Sequence, residues 1–228
     1  MNFLQICQRL RREARISGSG PASVLNQAGE MQLIVDWVQS AYEDIQNMNH
    51  NWLFLQNQFT FNTIAATSTY MPAAAGLSEL QAWKVDGYNA ISLYRTSTGV
   101  SGQQDINWIP WDEMRGDRFF GSTSLQTGQP IEYAVKPDKS IVFWPIPDDV
   151  YTISGEYFKK AQPLVNNTDE PNFPSQYHMI LVWLGMRYSG AYQAAPEKYT
   201  HSDNEYRRLL FDLRRDQIPK VRMGVELA

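Results

Sequence analysis

The hydrophobic period of this chain changes twice, and those two changes limit its fold more than any other feature. Near the start, Phe3, Ile6, Cys7, Leu10 and Ala14 recur at helical spacing, with Arg9, Arg11, Arg12 and Arg15 elsewhere on the cylinder. "SGSGPAS" (17–23) then ends the helix, because Gly and Pro together disfavour its continuation. A second helix is predicted over 28–48, where Met31, Ile34, Val35, Val38, Ala41, Tyr42 and Ile45 form one stripe. Leu33 and Trp37 lie off that stripe. Trp37 reads either as the edge of the core or, with Leu33, as a second face that meets a partner subunit.

In the middle the period drops to two. "NQFTFNT" alternates with Phe59 and Phe61 on one side, and "NAISLYR" does the same with Ile91 and Leu93. "PIEYAVK" alternates Ile131, Tyr133 and Val135, and Pro137-Asp138-Lys139 turns the chain into "SIVFW". Beyond a stiff Pro145-Ile146-Pro147-Asp148-Asp149 corner, "VYTISGEYF" alternates again, so these three runs predict an antiparallel meander. "PWDEMRGDRFF" (110–120) reads as a short helix entered through Pro110, and "TSTGVSGQQ" (96–104) as a mobile loop by composition.

The helical period then returns. "FPSQYHMILVWLGMRYSGAYQ" opens with Pro174 near its first turn and is apolar nearly all round, as a central buried helix should be. Pro196-Glu197 opens a last helix with Tyr199, Tyr206, Leu210 and Leu213 as its inner stripe and Arg207, Arg208, Arg214 and Arg215 mostly outside it. The stripe ends by about Leu213, and Pro219 blocks helical continuation. The expected class is α+β: a helical bundle built from N- and C-terminal helices with an inserted antiparallel β region. Residues 1–55 and 166–216 form the helical part, 56–165 the β part and 217–228 an extended C-terminal arm.

Composition narrows the function. With 43% apolar residues in 228, the chain has enough to bury a core. Aromatic residues reach 13%, including seven Trp, and such rings serve interfaces as well as cores. A net charge of −4 argues against a polycation seeking nucleic acid. One cysteine, Cys7, permits no disulfide within the chain and suits a reducing compartment. The opening "MNFLQICQRLRREARI" has its apolar residues before its arginines, the reverse of a secretory signal. "MILVWLGM" is too short to cross a bilayer, so a soluble intracellular protein with no membrane partner is expected, and Asn166-Asn167-Thr168 reads as a loop.

Catalytic signatures are missing. "SGSGP" lacks the Gly-Lys-Ser/Thr of a phosphate loop, and Gly-x-Ser-x-Gly, His-Glu-x-x-His and Cys-x-x-Cys do not occur. His50, His178 and His201 stand far apart without ligand spacing, and His178 reads as a packing residue. Cys7 lies on an apolar stripe and reads as a buried thiol. Asp148-Asp149 and Asp112-Glu113 read as turn and cap residues whose neighbouring carboxylates diverge. No catalytic, cofactor-binding or metal-binding residue is therefore assigned. The basic faces of the first and last helices read as solvated surface, as contacts for an acidic protein surface, or as incidental neighbours of DNA phosphates. Aromatics interleave with neither.

Three stretches together resemble the adaptor proteins of tailed bacteriophages, also called head–tail connector or head-completion proteins. They are "GEMQLIVDWVQSAYEDIQNMNHNWLFL" (29–55), "PDKSIVFWPIPDDVYTISGEYFKKAQPL" (137–164) and "DEPNFPSQYHMILVWLGMRYSGAYQAAPEKY" (169–199) with the Arg-rich helix that follows. Residues 64–128 match least. The resemblance implies a non-enzymatic virion protein of the neck, made in the host cytoplasm, that forms a homo-oligomeric ring, a dodecamer like the portal. It implies portal, tail or neck proteins as partners, and DNA passing through the channel without specific binding. The stiff corner at 145–149 then serves shape retention in an assembly.

On this resemblance Leu33 and Trp37 are expected at the subunit interface. A portal-binding arm is expected to include Ile218, Lys220, Val221, Arg222, Met223, Val225 and Leu227, because its apolar residues alternate at strand period and connectors reach their neighbours with terminal arms. A tail-associated β-rich module that binds carbohydrate or host surfaces is the alternative, favoured by the Trp-rich middle.

Overall fold

The computed structural model describes residues 1–85 and 90–219. The elements in chain order begin with helices α1 (Phe3–Glu13) and α2 (Glu30–Asn47). Strands β1 (Gln56–Asn62), β2 (Thr69–Tyr70), β3 (Leu80–Trp83), β4 (Ile91–Arg95), β5 (Gln104–Asp105) and β6 (Asn107–Trp108) follow. After the single turn α3 (Trp111–Glu113) come β7 (Thr127–Gly128), β8 (Glu132–Val135), β9 (Ile141–Trp144), β10 (Ile146–Pro147) and β11 (Tyr151–Lys159). Helices α4 (Met179–Tyr192) and α5 (Pro196–Gln217) complete the set. The fold is α+β, with helices from both chain ends and the β region between them. The described residues form two compact units, one from 1–55 and 161–219, the other from 56–85 and 90–160.

In the helical unit, α1 starts at a capping box. The Gln5 amide donates to Asn2 Oδ1 at 2.9 Å and the Asn2 amide donates to Gln5 Oε1 at 3.1 Å. A cap of this kind is worth about 1 kcal/mol. The helix ends with the Ile16 N–H reaching Arg11 O and the Arg15 N–H reaching Arg12 O, both at 3.2 Å, a Schellman closure. Arg15 occupies the left-handed position at φ 53°, where glycine is usual.

Helix α4 packs against α1, α2 and α5, which explains its nearly uniform apolarity. Side-chain amides tie the returning chain to α2. Gln46 Nε2 donates to Gln162 O at 3.0 Å, Gln46 Oε1 accepts from the Gln162 amide at 2.9 Å, and Gln39 Nε2 donates to Leu164 O at 2.9 Å. Buried Gln46 is thus satisfied by backbone, as a buried amide must be. In α5 the inner stripe is Ser202, Tyr206, Leu210 and Leu213, whereas Tyr199 is 41% exposed. The Ser202 hydroxyl bonds back to Lys198 O at 2.7 Å, so a small polar residue fits where the period alone placed a ring. The helix also runs one turn past Leu213, to Gln217.

In the β unit, β11 is the central strand of the larger sheet. It pairs antiparallel with β1 on one side and with β4 and β3 on the other, and β5 lies beyond β4. The smaller sheet runs β2–β9–β8–β6. The expected three-run meander is therefore corrected: β8 and β9 form a hairpin, but β11 leaves it for the other sheet. Pro145 and Pro147 have no N–H to donate, so neither can give a ladder hydrogen bond to a neighbouring strand. There β10, which ends on Pro147, makes only a short parallel pair with β7, and the chain crosses over. The 96–104 segment holds a 3-10 turn at Val100–Gly102 and then adds β5 to the sheet edge. Ile131 is half exposed rather than inward, while Tyr133 and Ala134 are both fully buried, because β8 is covered on two faces. Phe61, Tyr70 and Phe143 join the two sheets by ring contacts with centroids 5.4–6.4 Å apart.

Candidate interaction surfaces

Two groups able to do chemistry, Cys7 and His178, are buried in the helical unit. Cys7 is fully buried, and burial pushes its thiol up to about 12, far from a thiolate at neutral pH. His178 is buried too. Its Nδ1 accepts from the Met1 amine at 2.8 Å and its Nε2 faces Phe173 O at 3.1 Å, while burial holds its pKa below the ordinary value. Among the described residues no group of His, Cys, Asp and Glu could hold a metal ion. Among them, too, no helix is long and apolar enough to cross a membrane.

The Asp148-Asp149 pair was expected to diverge, and here the structure differs. Both carboxylates approach Arg95, at 3.6 and 3.5 Å, and the Tyr151 hydroxyl donates to Asp148 at 2.6 Å. The register Tyr151↔Arg95 places the guanidinium beside the corner, so the pair fastens the turn to β4. On the other side Arg118 makes a two-point contact with Glu132, at 2.6 and 3.0 Å, and stacks over Trp144 at 4.9 Å. The corner that begins at Pro145 is clamped at both ends.

A shallow trough of about 300 Å³ crosses the polar face of the larger sheet. Its side chains bond one another: Gln103 donates to Ser92 at 2.7 Å, and Ser92 and Ser154 stand 3.1 Å apart. The one ring in its lining, Phe59, is buried, so no stacking platform for a sugar is presented.

Leu33 and Trp37 lie one turn apart on α2, both half-buried. Trp37 rests on the edge of the bundle core and meets Tyr192 of α4 with ring centroids 5.9 Å apart. Tyr192 is 69% exposed, and spacing along α2 could not reveal it because it belongs to another helix. On α5, Arg207 pairs with Asp203, Arg208 with Glu205 and Arg215 with Asp212. The basic face read from the sequence is thus largely neutralised along the helix itself. Of the expected arm, Ile218 packs against the bundle core and its amide donates to Arg214 O at 3.0 Å. Lys220, Val221, Arg222, Met223, Val225 and Leu227 lie outside the described residues.

The fold is of the α+β class, with a corner fastened by ion pairs and exposed aromatic edges such as Tyr192. The family model described as SU10 adaptor protein matches residues 1–224, and the chain belongs to that family. It is accordingly a bacteriophage structural adaptor, a virion component that interacts with other head and tail proteins. No curated protein matches the chain.

Proposed function

We propose that this adaptor is the head–tail connector of its virion: a non-enzymatic subunit that binds the portal ring and joins the DNA-filled head to the tail. The observation that carries the reading is the extent of the family match, which takes in both the helical and the β unit. Copies assemble into a closed ring, a dodecamer matched to the portal, and a ring of this kind needs two different faces on each subunit. Leu33, Trp37 and Tyr192 supply one of them, with exposed apolar area on a rigid helix pair. DNA passes through the ring without specific binding.

The C-terminal segment is the portal-binding arm, with Lys220 and Arg222 oriented to acidic surface and Val221, Met223, Val225 and Leu227 against the portal or an adjacent subunit. Because Ile218 packs on the bundle, the arm is best cut after Pro219. The test is co-sedimentation with purified portal rings. The full chain should co-sediment, and the chain truncated after Pro219 should stay folded and be left in the supernatant. Equal binding by the truncated chain would remove the arm from this account. A full chain that ignores the portal would remove the connector reading itself.

A further inference from the structure

A groove of about 390 Å³ lies in the helical unit where the C-terminal end of α1 meets α4 and α5. Arg12 and Arg15 line it, with Lys198 and His201 from α5, and Trp183 and Met186 give it an apolar wall. Glu13 and Glu197 also border it, but Glu13 is engaged by Arg9 at 2.6 Å.

Three independent features set this groove apart. First, Arg12 and Arg15 are exposed and their guanidiniums make no hydrogen bond or ion pair to any described residue, whereas Arg187, Arg207, Arg208 and Arg215 of the same unit each hold a carboxylate. Cations at a helix C-terminus ordinarily serve the last carbonyls. That task falls here to Lys198, whose Nζ donates to Ala14 O at 2.9 Å, so the two guanidiniums are left over. Second, Arg15 adopts φ 53°, a conformation that costs a side-chain-bearing residue about 1 kcal/mol or more. A glycine would close the helix without that cost, and the groove would then lose a cation. Third, the wall is aromatic and sulfur-bearing: Trp183 is half-buried and meets His201 edge-on at 5.5 Å.

We infer that this groove binds an acidic peptide segment of a partner protein, with carboxylates on Arg12 and Arg15 and an apolar side chain against Trp183 and Met186. Forked guanidiniums suit carboxylates, and the part-exposed Trp183, backed by buried Met186, offers apolar surface to an anchoring side chain. Duplex DNA fits less well, because the apolar wall offers nothing to a phosphate backbone. The inference deepens the adaptor reading by naming the chemistry of one contact, and it holds whichever neck protein supplies the segment.

The test uses the full chain and a fluorescein-labelled octapeptide, Asp-Glu-Asp-Leu-Phe-Asp-Glu-Asp, followed by anisotropy at physiological salt. The indole N–H resonance of Trp183 reports where the peptide sits. Binding should move that resonance and should weaken about tenfold or more for the Asn/Gln version of the peptide. The double variant Arg12→Glu, Arg15→Glu should lose binding to a similar degree. The matched variant Arg207→Glu, Arg208→Glu, with the same charge change on the outer face of α5, should retain it. Both pairs are exposed, and circular dichroism checks that each variant is folded before its binding is scored. Equal loss in the two variants, an unmoved Trp183 resonance, or displacement of the peptide by a short DNA duplex at equal charge would each overturn the inference. Portal co-sedimentation is scored separately, so failure of the groove and failure of the connector reading are distinguishable.

Discussion

Phe59 stands directly across from Gly155 in the β1–β11 ladder, and its ring fills the space that a Cβ on Gly155 would need. A methyl group there would lie 3.0 Å from two ring carbons and 2.8 Å from the carbonyl oxygen of Ala90. The ring can tilt, but the carbonyl is backbone, one residue before β4 enters the sheet. Gly155→Ala should therefore destabilise the protein by about 2 kcal/mol, the usual scale of overpacking. Urea denaturation measures this, and adding Phe59→Leu should restore only part of the loss.

Gly185 makes a contrasting case. A Cβ on it would meet Leu10 Cδ2 at 2.8 Å, the far end of a side chain rather than backbone. Alanine in a helix interior gains about 1 kcal/mol over glycine, which offsets part of the clash. Gly185→Ala should cost less than Gly155→Ala, and in a Leu10→Ala background its sign should reverse. A double-mutant cycle reads the coupling directly, and additive effects would show that the two residues do not press on each other.

Folding stability should fall on mild acidification because of His178. Burial lowers its pKa in the folded state below the unfolded value of 6.5. The unfolded chain then binds more protons in that window, so the contribution is complete above about pH 6.5 and is lost progressively as pH drops below it. The carbonyl of Phe173 and the Met1 amine face the ring, with Glu170 a weaker influence. Melting temperatures at pH 7 and pH 5 should differ more for the native chain than for His178→Gln. Parallel profiles would assign the acid sensitivity elsewhere.

Trp37→Ala should weaken ring formation, seen by sedimentation velocity, while the isolated subunit stays folded. Since the indole is only half-buried beside Tyr192, the subunit itself should lose about 1–2 kcal/mol, less than the 3–5 of a fully buried Trp. A subunit that unfolds outright would make Trp37 a core residue with no interface role.

Binding to duplex DNA by the free protein should be weak and strongly salt-dependent. The net charge of −4 and the carboxylate partners of Arg207, Arg208 and Arg215 leave few cations free for phosphate. Electrophoretic mobility shifts at two salt concentrations suffice. Retention of the duplex at physiological salt would contradict a neutral passage for DNA.

Much of the secondary structure was legible because it depends on near neighbours. The stripes of α1 and α2, the punctuation at 17–23 and the apolar girth of α4 follow from spacing along a few turns. So did the β1 and β4 strands and the turn at 137–139. Strand partners were not legible, because alternation tells which side of a strand is buried and nothing about which strand lies beside it. That is why β11 read as the third run of a meander, when it instead sits between β1 and β4 from distant parts of the chain. The same limit hid two surface features. Asp148 and Asp149 converge only because the register brings Arg95 to them, and Trp37 has a companion only because α4 ends with Tyr192 beside α2. Periodicity is a property of short segments, whereas pairing and convergence are chosen among distant segments by which packing excludes most water, and only the tertiary structure decides that.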